Sequence, residues 1–206
     1  MAAEDGAPGA LLADLDGVLV DSYAAVVRAW GWWAARHAID PAPFIDAHGR
    51  PTAETIAEFA PWLDADAEAA VVEGRESTDT VGVVALPGAA ELLTAGKRVA
   101  VVTSGTRSLA LARLDAAGLP APEVLITAEA VRRGKPDPEP YLLAAALVGI
   151  EPAKCTVFED APAGVAAGKA AGMRVVAVTT IFRAAELTGA DLVVPNLAAY
   201  LAQATR

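Results

Sequence analysis

The chain has 206 residues, 54% of them hydrophobic, and a formal net charge of −10. That length holds one large domain, or one domain with a small insertion, and that apolar fraction can fill a sizeable core. The negative balance argues against nucleic acid and anionic membrane surfaces as main partners, and an anionic substrate would need a cation or a few placed Lys and Arg side chains.

Met1–Ala10 is acidic, with neither a basic start nor an apolar centre, and reads as a tail rather than a secretory signal. No uninterrupted apolar run is long enough to span a bilayer. The single cysteine, Cys155, precludes an intrachain disulfide, fits a reducing cytoplasm, and reads as a small buried hydrophobe. From Leu11 a short apolar run reads as a buried parallel strand. It ends in Asp14 and Asp16, two residues apart and so able to address one point, and Gly17 lets the chain turn away. Alone, such a pair reads as a capped turn.

Asp21 or Ser22 can cap a helix running to about His37. Tyr23, Val26, Trp30, Trp33 and His37 share one face of it and read as core, with His37 near the terminal carbonyls. Trp32 lies off that face, exposed or in an interface. Pro41–Ala47 predicts a short helix, and Thr52 opens another to about Phe59. Between them lies the loop His48-Gly49-Arg50-Pro51. Asp64 or Asp66 opens a helix to about Thr80. Residues 21–83 thus read as an all-helical insertion without strand signal, splitting a core made of residues 1–20 and 84–206.

From Pro87 the rhythm changes. Helix Ala89–Ala95 leads to strand Val99–Val102, which ends in Thr103-Ser104-Gly105. Helix Arg107–Ala117 stops at Gly118, and Val124–Ile126 is a strand. Arg132–Pro138 is a loop, broken by Gly134, Pro136 and Pro138. Helix Glu139–Val148, strand Thr156–Phe158 with Glu159-Asp160 at its end, helix Pro162–Ala171, strands Arg174–Val178 and Leu192–Val194, and helix Leu197–Ala204 complete the chain. The alternation implies an α/β fold with a doubly wound, Rossmann-like parallel sheet.

Strand ends in such a sheet share one rim, so Asp14, Asp16, Thr103, Ser104, Lys135, Glu159 and Asp160 converge. Clustered carboxylates demand a cation, and an oxygen-only ligand set suits Mg2+. A hydroxyl and a lysine there suit phosphate oxygens, and a carboxylate can attack phosphorus.

Asp14-Leu15-Asp16-Gly17-Val18-Leu19-Val20-Asp21-Ser22 resembles the first signature of the haloacid dehalogenase superfamily of phosphatases. Thr103-Ser104, Lys135 in Gly-Lys-Pro-Asp-Pro, and Glu159-Asp160 resemble the other three, in order. The insertion resembles that family's cap. The resemblance implies Asp14 as nucleophile and Asp16 as acid and then base. It implies Ser104, or Thr103, with Lys135 as phosphate clamps. The metal would take Asp14, Asp160 and the Asp16 backbone carbonyl, supported by Glu159. Asp16 also disfavours the dehalogenase branch, which lacks this acid. Finer segments, Ala47-His48-Gly49-Arg50-Pro51-Thr52, Thr103 through Arg107 with Gly105, and Glu159 through Gly172, resemble the glycerol-phosphate and deoxyglucose-phosphate phosphatase branch. This implies small sugar or polyol phosphates as substrates; a cytoplasmic location is expected from the cysteine usage, and a monomer or weak homodimer is expected. His48, Gly49 and Arg50 would contact the substrate, although a solvated turn with its arginine paired to acids fits the residues as well. A sugar phosphomutase of the same superfamily would use the same residues, and a phospho-receiver domain is a more distant alternative.

Overall fold

The computed structural model describes residues 9–95 and 98–204. The first eight residues of the expected tail lie outside them; Ala10 already belongs to the first strand. β1 (Ala10–Ala13) is buried along its whole length, which only a sheet covered on both faces allows. After a tight turn come β2 (Val20–Asp21), α1 (Tyr23–His37), α2 (Ala42–Asp46), α3 (Thr52–Phe59), α4 (Ala65–Thr78) and β3 (Val84–Ala85). Then α5 (Ala89–Leu93), β4 (Arg98–Val102), α6 (Arg107–Ala116), β5 (Val124–Ile126), α7 (Glu139–Val148), β6 (Cys155–Glu159), α8 (Pro162–Ala170), β7 (Arg174–Val178), β8 (Leu192–Val194) and α9 (Leu197–Ala204) alternate. Six strands form one parallel sheet in the order β5-β4-β1-β6-β7-β8, the expected doubly wound α/β architecture. β4 pairs with one edge of β1 and β6 with the other, so the carboxyl end of β1 is the switch point where such sheets bind ligands.

Alternation along β1 divides the core. Leu11 and Ala13 pack with Val101, Phe158, Leu114 and Leu197 on one face. Ala10 and Leu12 pack with Val102, Val157, Tyr141 and Val165 on the other. A third cluster of Val26, Trp30, Trp33, Phe44, Ile56 and Val72 lies among helices α1 to α4. Trp33 is fully buried there, edge-on to Trp30 and Phe44, and its Nε1 donates to Glu68 at 2.6 Å.

Several expectations need correction. Val20–Asp21 and Val84–Ala85 form an antiparallel two-stranded ribbon at the base of a stretch read as wholly helical. Tyr23 is exposed, because the buried apolar face of α1 begins only at Ala25. His37 meets the Trp33 ring and the Glu68 carboxylate (3.1 Å) instead of terminal carbonyls. Ser22 makes no side-chain cap; the Asp21 carboxylate accepts the Tyr23 amide. α4 starts on an Asp64 cap and ends at Thr78, and α5 stops at Leu93. Trp32 is partly exposed, beneath the guanidinium groups of Arg36 and Arg75. Cys155 is buried, as expected. No helix among the described residues is long and apolar enough to cross a membrane.

Candidate active site

Asp14 is the first residue past β1, and its amide still bonds to Phe158 O of β6. The chain then reverses at once. Gly17 has a φ of 75°, which L side chains rarely adopt, and a Cβ there would overlap the Asp160 carboxylate. The Gly17 amide bonds to Val20 O, closing the turn that carries Asp16 back over Asp14.

Lys135 reaches in from the loop before α7. Its Nζ lies 2.7 Å from Asp14 Oδ1, 2.6 Å from Glu159 Oε1 and 3.0 Å from Val102 O. Burial opposes the lysine's charge, but the two carboxylates outweigh it and hold its pKa above the usual range. Burial, partly offset by Lys135, pushes the Asp14 carboxyl up to about 7. Asp160 is also raised well above its ordinary value, first by burial and then by Asp14 and Glu159.

One lysine therefore faces three buried carboxylates. An oxygen from each of Asp14, Glu159 and Asp160 lies within 4.8 Å of the others. Both Asp160 oxygens are buried with no hydrogen-bond donor. Such an orphaned carboxylate calls for a proton or a cation, and a hard divalent cation such as magnesium fits an all-oxygen donor set. Glu159 has both oxygens engaged by protein donors. Oε1 accepts from Lys135 and the Tyr141 hydroxyl (2.6 Å), and Oε2 accepts from the amides of Asp160 and Ala161. Gly164 leaves the space that this carboxylate fills.

Asp16 sits under different restraint. Its Oδ1 accepts from Ser22 Oγ at 2.6 Å, and its Oδ2 from Arg113 Nη1 at 2.7 Å. Arg113 Nη2 donates to Glu76 Oε2, also at 2.7 Å, so one buried guanidinium joins the β1 turn to α4. Burial raises the Glu76 carboxyl to about 7, against the pull of Arg113.

A cavity of about 70 Å³ opens over Asp14 and Asp16. Val26, Trp30, Phe44 and Leu109 give it apolar walls; Thr103, Ser104, Gly105, Glu76, Arg113 and the 47–50 loop give it polar ones. That loop is seated tightly. Ser104 Oγ donates to Gly49 O at 3.0 Å, and Gly49, at φ 89°, has no room for a Cβ beside Ala161. Gly134 likewise makes room for Pro51. His48 Nε2 is buried without a partner, 3.9 Å from Asp160 Oδ2, and burial lowers its pKa. Thr103 Oγ1 accepts the Gly105 amide. Arg50 lines the cavity, but its guanidinium is bonded to Glu58 at 2.6 Å.

A haloacid dehalogenase-like hydrolase family model matches residues 9–172. The chain belongs to the haloacid dehalogenase-like hydrolases. Hexitol phosphatase A of Escherichia coli is 48% identical to this hydrolase over 194 residues, covering 90% of each chain. Glycerol-1-phosphate phosphohydrolase 2 of Saccharomyces cerevisiae is 37% identical over 210 residues, covering 91% of this chain and 82% of its own. The crystal structure of a hydrolase from Pseudomonas syringae superposes with a TM-score of 0.85 at 24% identity, over 96% of this chain and 98% of that one, and shows the fold alone. The expected likeness to the sugar phosphatase branch is therefore borne out.

The hydrolase brings Asp14, Asp16, Lys135, Glu159 and Asp160 together, with Thr103, Ser104, Gly105, His48 and Gly49 around them. Arg50 lines the cavity with its charge turned to Glu58, an acid outside the expected set. Sequence reasoning missed Arg113, Glu76, Tyr141 and the bond from Ser22 to Asp16.

Proposed function

We propose that this hydrolase is a magnesium-dependent phosphatase that cleaves a small sugar or polyol phosphate through an aspartyl phosphate on Asp14. One observation carries the reading: Asp14 is buried between a committed lysine and a donorless Asp160. Three clustered carboxylates share that one lysine, so the site is short of positive charge before a phosphate dianion arrives. Asp14, Asp160 and the Asp16 carbonyl would hold the cation, with Glu159 keeping Lys135 in place beside them. Magnesium, when bound, would neutralise part of the phosphate charge and polarise a phosphoryl oxygen.

Asp14 attacks phosphorus, and the bond from phosphorus to the sugar oxygen breaks. Asp16 gives its proton to that leaving oxygen. Asp16 then takes a proton from water, the water oxygen attacks the phosphoryl group, and the Asp14 carboxylate departs. Lys135 and the hydroxyls of Ser104 and Thr103 hold phosphoryl oxygens meanwhile. Residues 21–83 act as a cap on a core of residues 1–20 and 84–206. A cavity of about 70 Å³ holds only a few water-sized groups, so the cap must move to admit a sugar phosphate. The 48–50 loop then closes on the substrate, with His48 and Gly49 nearest the core and Arg50 reaching the ligand once released from Glu58. The lone, unpaired Cys155 suits a reducing cytoplasm.

The test is phosphate release over a panel of sugar, polyol and glycolytic phosphates. Asp14→Asn keeps the shape and removes the nucleophile, so release should vanish while the fold survives. Excess chelator should abolish activity too. Substantial turnover by that variant, or a full rate in chelator, overturns the reading. Isomerised sugar phosphate without phosphate release would select the mutase.

A further inference from the structure

Arg113 restrains Asp16, but Glu76, its other partner, has no role in the chemistry just described, and both form part of the cavity wall. Both side chains are almost wholly buried. Arg113 is already matched by Asp16, so Glu76 adds a second anion to one cation. Among the described residues lining the cavity, the other arginine, Arg50, is matched by Glu58. Glu73, one turn earlier on α4, is a further buried carboxylate. The wall beyond the phosphate site is therefore a place where a second substrate anion would meet negative charge. A neutral hydroxyl meets the opposite situation. Glu76 can accept its proton, and Arg113 Nε, buried with no acceptor, can donate to its oxygen.

We propose that Glu76, held by Arg113, selects substrates whose leaving group is a neutral polyol or sugar and rejects those carrying a second negative charge. This rests on the reading of the Asp14 cavity as the substrate site. It makes bisphosphates and phosphorylated sugar acids poor substrates for a reason independent of their size. Glu76 is a specificity residue; Arg113 positions it.

The experiment compares kcat/KM at about pH 9, where the Glu76 carboxyl is ionised, for a hexitol 6-phosphate and the matched aldonic acid 6-phosphate, which differ by a terminal CH2OH in place of a carboxylate. Wild-type enzyme with magnesium should prefer the hexitol ester by at least about tenfold, the scale set by like charges a few ångströms apart in a partly dry site. Glu76→Gln should shrink that ratio by about fivefold or more, since the amide can still bond a hydroxyl but no longer repels. A structural role would lower both rates together and leave the ratio intact, which overturns the proposal. Comparable wild-type rates on the two esters also overturn it, while leaving the phosphatase reading in place. Turnover of neither ester removes the polyol-phosphate reading, and this inference with it. Should Glu76→Gln fail to fold, inhibition of the wild type decides. The free hexitol should inhibit more strongly than the free aldonate, with the gap narrowing at high ionic strength; equal inhibition at all salt concentrations counts against the proposal.

Discussion

Lys135 meets Asp14, Glu159 and a backbone carbonyl at once, and its side chain is 2% exposed. Removing it leaves two buried carboxylates facing each other. Lys135→Met should therefore cost about 3–5 kcal/mol of stability in denaturant unfolding, besides ending activity. An unchanged midpoint would mean that the carboxylates relax to water. Gly17 is constrained from two directions, by its φ of 75° and by Asp160 against its missing Cβ. Gly17→Ala should push the Asp160 carboxylate aside and weaken magnesium affinity, read by calorimetric titration, by about tenfold or more. The Asp-x-Asp-Gly, Gly-Lys-Pro and Glu-Asp segments made these residues legible, because each places a polar group at a strand end. Arg113 and Glu76 were not, since neither sits in a motif. A signal existed all the same. Arg113 lies on the buried face of α6 with Leu109, Ala110 and Leu114, and Glu76 on that of α4 with Ala69 and Val72. A charge on an apolar stripe asks for a buried partner. Asp21 and Ser22 both suit the start of α1; Asp21 accepts the Tyr23 amide there, and the Ser22 hydroxyl serves Asp16 instead.

Helix α1 binds the insertion together through Trp33, which touches Trp30, Phe44, His37 and Glu68. Trp33→Ala should destabilise by about 3–5 kcal/mol and expose the insertion first. Hydrogen exchange should show α1 to α4 losing protection before the sheet; uniform loss across the chain would contradict this. The period-3.6 pattern and the Asp64 cap made α1, α3 and α4 legible. The ribbon of β2 and β3 was not, because two-residue strands carry no periodicity and are defined by partners far apart in sequence. The docking of the 47–51 loop was equally hidden. It depends on the absent Cβ atoms of Gly49 and Gly134, which matter only once Ala161 and Pro51 stand beside them.

Across the whole molecule, the site should make stability depend on pH and on metal in a linked way. Asp14 and Glu76 take up protons near 7 in the fold, against ordinary values of 3.8 and 4.5, and Asp160 is shifted in the same direction. Between those limits these three carboxyls bind more protons in the folded chain than in the unfolded one, and only buried His48 acts the other way within the site. Stability of the metal-free protein should therefore fall as pH rises from about 4 to about 7. Melting in chelator should be lower at about pH 7.5 than at about pH 5.5, and magnesium should raise it more at the higher value, where it no longer competes with protons. A magnesium effect independent of pH would show that the shifted carboxylates are not its ligands. The ribbon has a consequence of another kind. Val20 pairs with Ala85 and Asp21 with Val84, so everything between leaves this two-stranded ribbon and returns to it at a single point. Such a segment should behave as a removable module. Joining Ser22 to Val83 through a short Asn-Gly turn should leave a shortened protein that still melts cooperatively, as a chain from which an exchangeable part has been cut and into which another could be grafted.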